Sequence, residues 1–178
     1  KDISAEKAYF AKLAVKAVEQ IKEEREGKIK ADIDLVKVVK KHGKSVEETE
    51  LVEGIVIDKE VSHSQMPKQV RNAKIALLNQ KLEIEKTEFD AKINIENPDQ
   101  MHMFLDEEER MLKEMVEQTA KSGANVVLCE KGVDDIALHF LAKRGIVAAK
   151  NLSSGDMEKL AKATGGKILA STKDLSRE

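Results

Sequence analysis

Asn97-Pro98-Asp99-Gln100-Met101-His102-Met103-Phe104-Leu105-Asp106-Glu107-Glu108-Glu109-Arg110-Met111-Leu112-Lys113-Glu114-Met115-Val116-Glu117-Gln118-Thr119 is the stretch on which the fold turns. Met101, Phe104, Leu105, Leu112, Met115, Val116 and Thr119 recur at three- and four-residue steps, which puts them on one helical face. The spacing predicts an amphipathic helix over 99–121, a rod of about 30 Å at 1.5 Å per residue. Glu108 interrupts the stripe, and an unpaired buried carboxylate is too costly to expect there. The second half of the helix is therefore expected to lie on a core. The first half, with Met103 and the upstream Ile93 and Ile95, is expected to project from it. Spacing alone leaves two readings of Met101, Met103 and Met111: an adaptable binding tip, or ordinary core.

Downstream the punctuation is regular. Gly123 closes the long helix; a strand comes at 125–129, a helix at 133–143, a strand at 145–149, a helix at 154–164 and a strand at 167–171. Gly123, Gly145 and Gly165 stand where helices end. Repeated strand–helix units imply parallel strands joined by right-handed crossovers. On the 133–143 helix, Val133, Ile136, Ala137, Phe140 and Leu141 form the expected inward stripe. That leaves Leu138 and Ala142 pointing away, beside Asp135, His139 and Lys143. Exposed Leu and Ala bordered by charge would suit a promiscuous binding surface.

Upstream, Ser4 precedes an amphipathic helix carrying Ala8, Ala11, Leu13, Val15, Val18 and Ile21, with Gly27 as its stop and 22–26 solvated. Ile33 with 35–39, and then 51–57, read as strands, separated by a helical turn at 45–49. A long polar loop spans 59–72 and holds His63, Met66 and Pro67; loops of this length inside a domain are often functional. The segment 73–78 is a third strand candidate, with 82–84 extending or pairing with it. A shift in composition near Glu50 divides a helix-led piece from an α/β domain. The opening lacks an initiator Met and starts in helix-forming sequence, so an excised piece of a longer protein is expected.

The 178 residues suffice for one domain or slightly more. Hydrophobic residues make up 41 % but aromatics only 3 %, so the core is expected to be an aliphatic α/β core. The 31 basic and 33 acidic side chains nearly cancel and form no basic block, which argues against nucleic acid as a partner. The single Cys129 rules out an internal disulfide and fits a reducing compartment. No apolar run approaches the roughly 18 residues a membrane span needs. The start, Lys1-Asp2-Ile3-Ser4, has no secretory pattern, so a cytoplasmic protein without a membrane partner is expected.

Chemistry is sparse. His42-Gly43-Lys44-Ser45 ends like a phosphate loop, but position 38 is Val where that motif needs Gly. Cys129 with His139 as base, or Asp135, would serve a small α/β enzyme. Against this, free cysteine is usually an inert buried hydrophobe, and Asp134 and Asp135 open a helix where carboxylates act as caps. His42, His63, His102 and His139 show no metal-ligand spacing. A structural adaptor for one folded partner is a third reading.

Several stretches taken together resemble one family. They are Gly54-Ile55-Val56-Ile57-Asp58-Lys59-Glu60, Met66-Pro67, Ala73-Lys74-Ile75-Ala76-Leu77-Leu78-Asn79, the run from Glu107 to Val116, Gly123-Ala124-Asn125-Val126-Val127, Lys131-Gly132-Val133-Asp134-Asp135-Ile136-Ala137, and the run from Asp156 to Gly165. As an ordered set they cover nearly the whole chain and resemble the group II chaperonins, the thermosome and CCT family. The resemblance implies an α/β fold with an apical-domain-like parallel or mixed sheet, flanking helices and a long helical protrusion. A helix-plus-strand intermediate-domain segment would precede it. Residues 1–50 would be that intermediate segment and 51–178 the apical domain, with the protrusion at about 90–110 serving as a built-in lid.

It further implies that unfolded polypeptides bind at the loop 62–69, the helix 133–143 and the protrusion. Ile93, Ile95, Met101, Met103, Phe104, Met66, Leu138, His139 and Ala142 are the site residues so expected. Neighbouring subunits of a double ring would be partners of the full-length protein, and ATP and magnesium its cofactors. The family's ATP-binding domain, with its Gly-Asp-Gly-Thr loop, and the later segment with the catalytic Asp do not appear here. No catalysis and no bound cofactor are therefore expected of this piece. The sequence also stops at Glu178, short of the family's last apical strands, and Lys150-Asn151-Leu152-Ser153-Ser154-Gly155 replaces a usually more basic stretch.

Overall fold

A computed structural model describes residues 6–43, 45–84 and 98–175, with side chains in the last segment from residue 102 onward. Ile93, Ile95 and the side chain of Met101 lie outside the described residues. The chain divides into two compact units, Lys1–Asp58 and Lys59–Glu178.

In the first unit α1 (Lys7–Gln20) buries none of its residues, and Val15 stays 59 % exposed. The helix ends at Gln20, seven positions before the expected stop at Gly27 (27 − 20). An antiparallel hairpin comes next, β1 (Lys22–Arg25) with β2 (Lys28–Ala31). Its two turn residues, Glu26 and Gly27, have φ of 55° and 70°. Positive φ at both central positions matches the twist of the flanking strands, and glycine makes the second position easy. The charged composition of 22–26 hid this hairpin.

The strands expected at 33–39 and 51–57 do not form. The Asp32 carboxylate accepts from Asp34 N and turns the chain into a 3-10 helix, Ile33–Leu35. A short polar side chain there offers the backbone a local partner in place of a ladder. At 51–57 the chain has no ladder partner among the described residues, and Gly54 sits at φ 143°. The turn expected at 45–49 is present as a 3-10 helix, Val46–Glu48, capped by the Ser45 hydroxyl.

The second unit is a four-stranded, all-parallel sheet in the order β5-β4-β3-β6, with β3 (Ile75–Leu78), β4 (Val126–Cys129), β5 (Val147–Ala149) and β6 (Ile168–Leu169). The expected elements are there, the strands shortened at their ends and the helices within two residues of their expected bounds. The strands are short apolar runs with hardly a polar side chain, as parallel strands covered on both faces must be. Leu82 adds one parallel bridge, to Val133. Three helices connect the strands: α2 (Pro98–Lys121), α3 (Asp135–Lys143) and α4 (Ser154–Thr164). Pro98 at the first position of α2 gives up an N–H that no helix start could use. Gly165, at φ 70°, ends α4 in the left-handed conformation expected of it.

Leu78, Leu82, Leu112, Val116, Val127, Val133, Leu138 and Leu141 are at most 2 % exposed and form the heart of the core. Leu112 and Val116, with the fully buried Thr119, belong to the second half of α2. Of its first half, Met103 is 73 % exposed, Leu105 55 % and Phe104 40 %. The division expected at Glu108 holds among the described side chains: Leu112, Val116 and Thr119 are core, while Met103, Phe104 and Leu105 stay exposed.

Candidate functional site

α3 starts at Asp134, whose carboxylate accepts from Ile136 N at 2.8 Å and so satisfies one of the orphan donors of the first turn. The helix packs on α2 and beside β5. Two supports cover two adjacent sides, so the buried stripe is wide and rotated: Ala137, Leu138, Leu141 and Ala142 point inward. This corrects two expectations. Leu138 and Ala142 lie in the core, and Ile136, placed inward by the sequence pattern, is 44 % exposed. A helix wheel assumes one support; here the second helix takes what a single sheet would have left to solvent. The exposed side carries Asp135, Ile136, His139 and Lys143, with Phe140 half-buried at its edge.

The loop at 59–72 closes over the outer edge of β5. Ser62 N donates to the Ala148 carbonyl at 2.9 Å, and Ala148 N donates to the Met66 sulfur at 3.2 Å. Met66 is therefore not a loose contact residue of the loop. It is 4 % exposed and joins the core, where its thioether fills an irregular gap. Anchoring the loop in this way brings the His63 ring to 5.9 Å from the His139 ring, and Gln65 N donates to His63 Nδ1 at 3.2 Å.

Next to these rings stands Phe140, 6.2 Å from His139. Lys113 of α2 and Lys143 of α3 each hold an ammonium 6.0 Å from its centroid, the range of a cation–π contact. Arg144 is paired with Glu117, tying α3 to α2. Sequence reasoning found His139 and the loop but missed Phe140, Ile136 and Lys113 as surface residues. Lys143 lies three positions after Phe140 and was legible as a neighbour; Lys113 reaches the ring only through helix packing. Of the expected site residues, the structure brings His139 to the surface beside the loop and exposes Met103 and Phe104 on α2. It draws Met66, Leu138 and Ala142 under cover.

The rival site fares differently. In a doubly wound sheet, ligands enter at the carboxyl ends of the strands where the strand order reverses. Here that place, beyond β3 and β6, holds polar groups paired with one another. Thr172 N donates to Gln80 Oε1 at 2.7 Å, and the Thr172 hydroxyl to Gln118 Oε1 at 2.8 Å. Cys129 is fully buried, and its thiol donates to the Gln80 carbonyl at 3.0 Å. Burial, with Glu83 and Glu130 nearby, pushes the thiol pKa up, away from a nucleophilic thiolate. Asp135 is paired with Lys150 at 3.5 Å on an almost fully exposed carboxylate. No described group of three or more His, Cys, Asp or Glu could hold a metal ion, and no described helix is long and apolar enough to cross a membrane. Ser45 spends its hydroxyl on Glu47 N at 3.2 Å as a helix cap. With Val at 38, that segment does not fit a phosphate cradle.

A parallel sheet with a long half-supported helix is an architecture found in solved proteins. The chain superposes on the open-state monomer of a group II chaperonin from Methanococcoides burtonii with a TM-score of 0.76 at 35 % identity, covering 99 % of this chain and 38 % of that one. The family model for the TCP-1/cpn60 chaperonins matches residues 1–178, and the chain belongs to that family. It is 54 % identical over 173 residues to a thermosome subunit of Pyrococcus horikoshii, covering 97 % of this chain and 32 % of that protein. It is 52 % identical over 178 residues to thermosome subunit beta of Saccharolobus solfataricus, covering 100 % and 32 %. The chain thus spans about a third of the length of these curated relatives.

Proposed function

We propose that this chain is the client-binding and lid-forming part of a chaperonin subunit. It holds unfolded polypeptide on apolar side chains that its own fold leaves uncovered. The observation that carries this reading is the split in α2. Leu112, Val116 and Thr119 are sealed in the core, while Met103, Phe104 and Leu105 stand exposed on the same helix. A monomeric domain gains nothing from keeping such a stripe in water; a surface meant to be covered by another chain does. Burial supplies affinity at about 25 cal/mol per Å², reduced by ordering costs, and flexible Met side chains adapt to many shapes.

On this reading residues 1–50 are intermediate-domain sequence and the remainder is apical, with the protrusion toward the start of α2. Ile93, Ile95, Met101, Met103 and Phe104 form the tip, and His139 with the loop at 62–69 lies on the client-facing side. The whole subunit works in the cytoplasm as part of a double ring, where ATP and magnesium bound elsewhere drive closure. Protrusions then leave clients and meet neighbouring subunits.

The test replaces Met101, Met103 and Phe104 with Ser and measures suppression of aggregation of a denatured client by the full chain. Suppression should fall while the unfolding midpoint of the chain holds. Undiminished suppression refutes the assignment.

A further inference from the structure

We infer that the face formed by Phe140, Ile136, Lys113 and Lys143 selects client segments in which apolar residues are interleaved with carboxylates. The inference rests on the client-binding reading and narrows it to a chemical class.

Charge around this face is unevenly matched. Three acidic side chains are already engaged: Glu117 by Arg144, Asp135 by Lys150 and Glu107 by Arg110. Lys113 and Lys143 have no such partner among the described residues. Glu109 lies one turn before Lys113, a spacing at which Glu and Lys pair readily on a helix, and Glu114 adjoins it in sequence. Yet the Lys113 ammonium makes no ion pair within 4 Å with either and lies instead 6.0 Å from the Phe140 centroid, as the Lys143 ammonium does. Each ammonium thus meets the aromatic ring and no carboxylate among the described residues.

The apolar component is adjacent. Ile136 is 44 % exposed and lies one helical turn from Phe140. The result is an aliphatic and aromatic strip flanked by two ammonium groups that lack a counter-charge among the described residues. An apolar side chain set on the strip would bury its methylene surface, and carboxylates on either side of it in the segment would pair with the two cations. A basic segment of equal hydropathy would add a third and fourth positive charge.

The experiment uses two fluorescent peptides of equal length and equal apolar content, with Glu in one and Lys in the other between the apolar residues, titrated onto the full chain. The Glu peptide should bind about fivefold tighter, the size that two exposed charge pairs supply, and the difference should shrink as salt is added. In the Lys113→Gln, Lys143→Gln variant the preference should vanish, and in Lys113→Glu, Lys143→Glu it should invert. Equal binding of the two peptides, or a preference unchanged in these variants, overturns this inference alone. Absence of binding by both peptides overturns the client-binding reading with it.

Discussion

Truncating Leu138 should cost far more stability than truncating Ile136, although a helical wheel drawn on one support ranks them the other way. Leu138 is 2 % exposed within the core cluster, and Ile136 is 44 % exposed. Leu138→Ala removes three buried carbons, about 2.4 kcal/mol at ~0.8 kcal/mol each. The cavity left behind adds to this, for a total of about 3 kcal/mol, inside the range measured for Leu→Ala in cores. Ile136→Ala removes carbons already half in water, about 1 kcal/mol, and regains a few tenths because Ala is the better helix former; the net cost is about 0.5 kcal/mol. A unit of this size is stable by roughly 5–15 kcal/mol, so both variants should fold and be measurable. Urea unfolding tracked by far-ultraviolet circular dichroism, with the slope m unchanged, gives both values. If Ile136→Ala costs as much as Leu138→Ala, the rotated packing of α3 is wrong, and the surface argued from Ile136 and Phe140 goes with it.

Two further outcomes depend on named groups. Cys129 should resist thiol reagents in the folded chain near neutral pH and react at the rate of an ordinary thiol once urea has unfolded it, because burial keeps the proton on sulfur; fast labelling of the native protein would revive the enzyme reading. Ser153→Ala removes the hydroxyl that accepts from Asp156 N at 3.1 Å and should lower stability by about 1 kcal/mol, while Ser153→Asp should retain most of it; equal melting temperatures for all three chains would contradict the cap.

Much of the second unit was legible because its signals are local. Apolar strand runs, helix stops at Gly123, Gly145 and Gly165, and the capping carboxylate at Asp134 each act within a few residues, so they survive being read without coordinates. The first unit was less legible for the same reason reversed. The 33–39 run has strand composition, but a strand exists only when another chain segment pairs with it. The charged hairpin from Lys22 to Ala31 exists because its turn permits it, whatever its side chains look like.

The break near Glu108 was readable from charge, since an unpaired carboxylate within an apolar stripe makes full burial of that stripe costly. The family was readable too, from an ordered set of motifs. Which side of α3 faces water, that Met66 plugs the edge of β5, and that Lys113 meets Phe140 were decided by tertiary structure. Each depends on a neighbour distant in sequence arriving on a particular side, and periodicity fixes a helix's faces without saying how many of them will be covered.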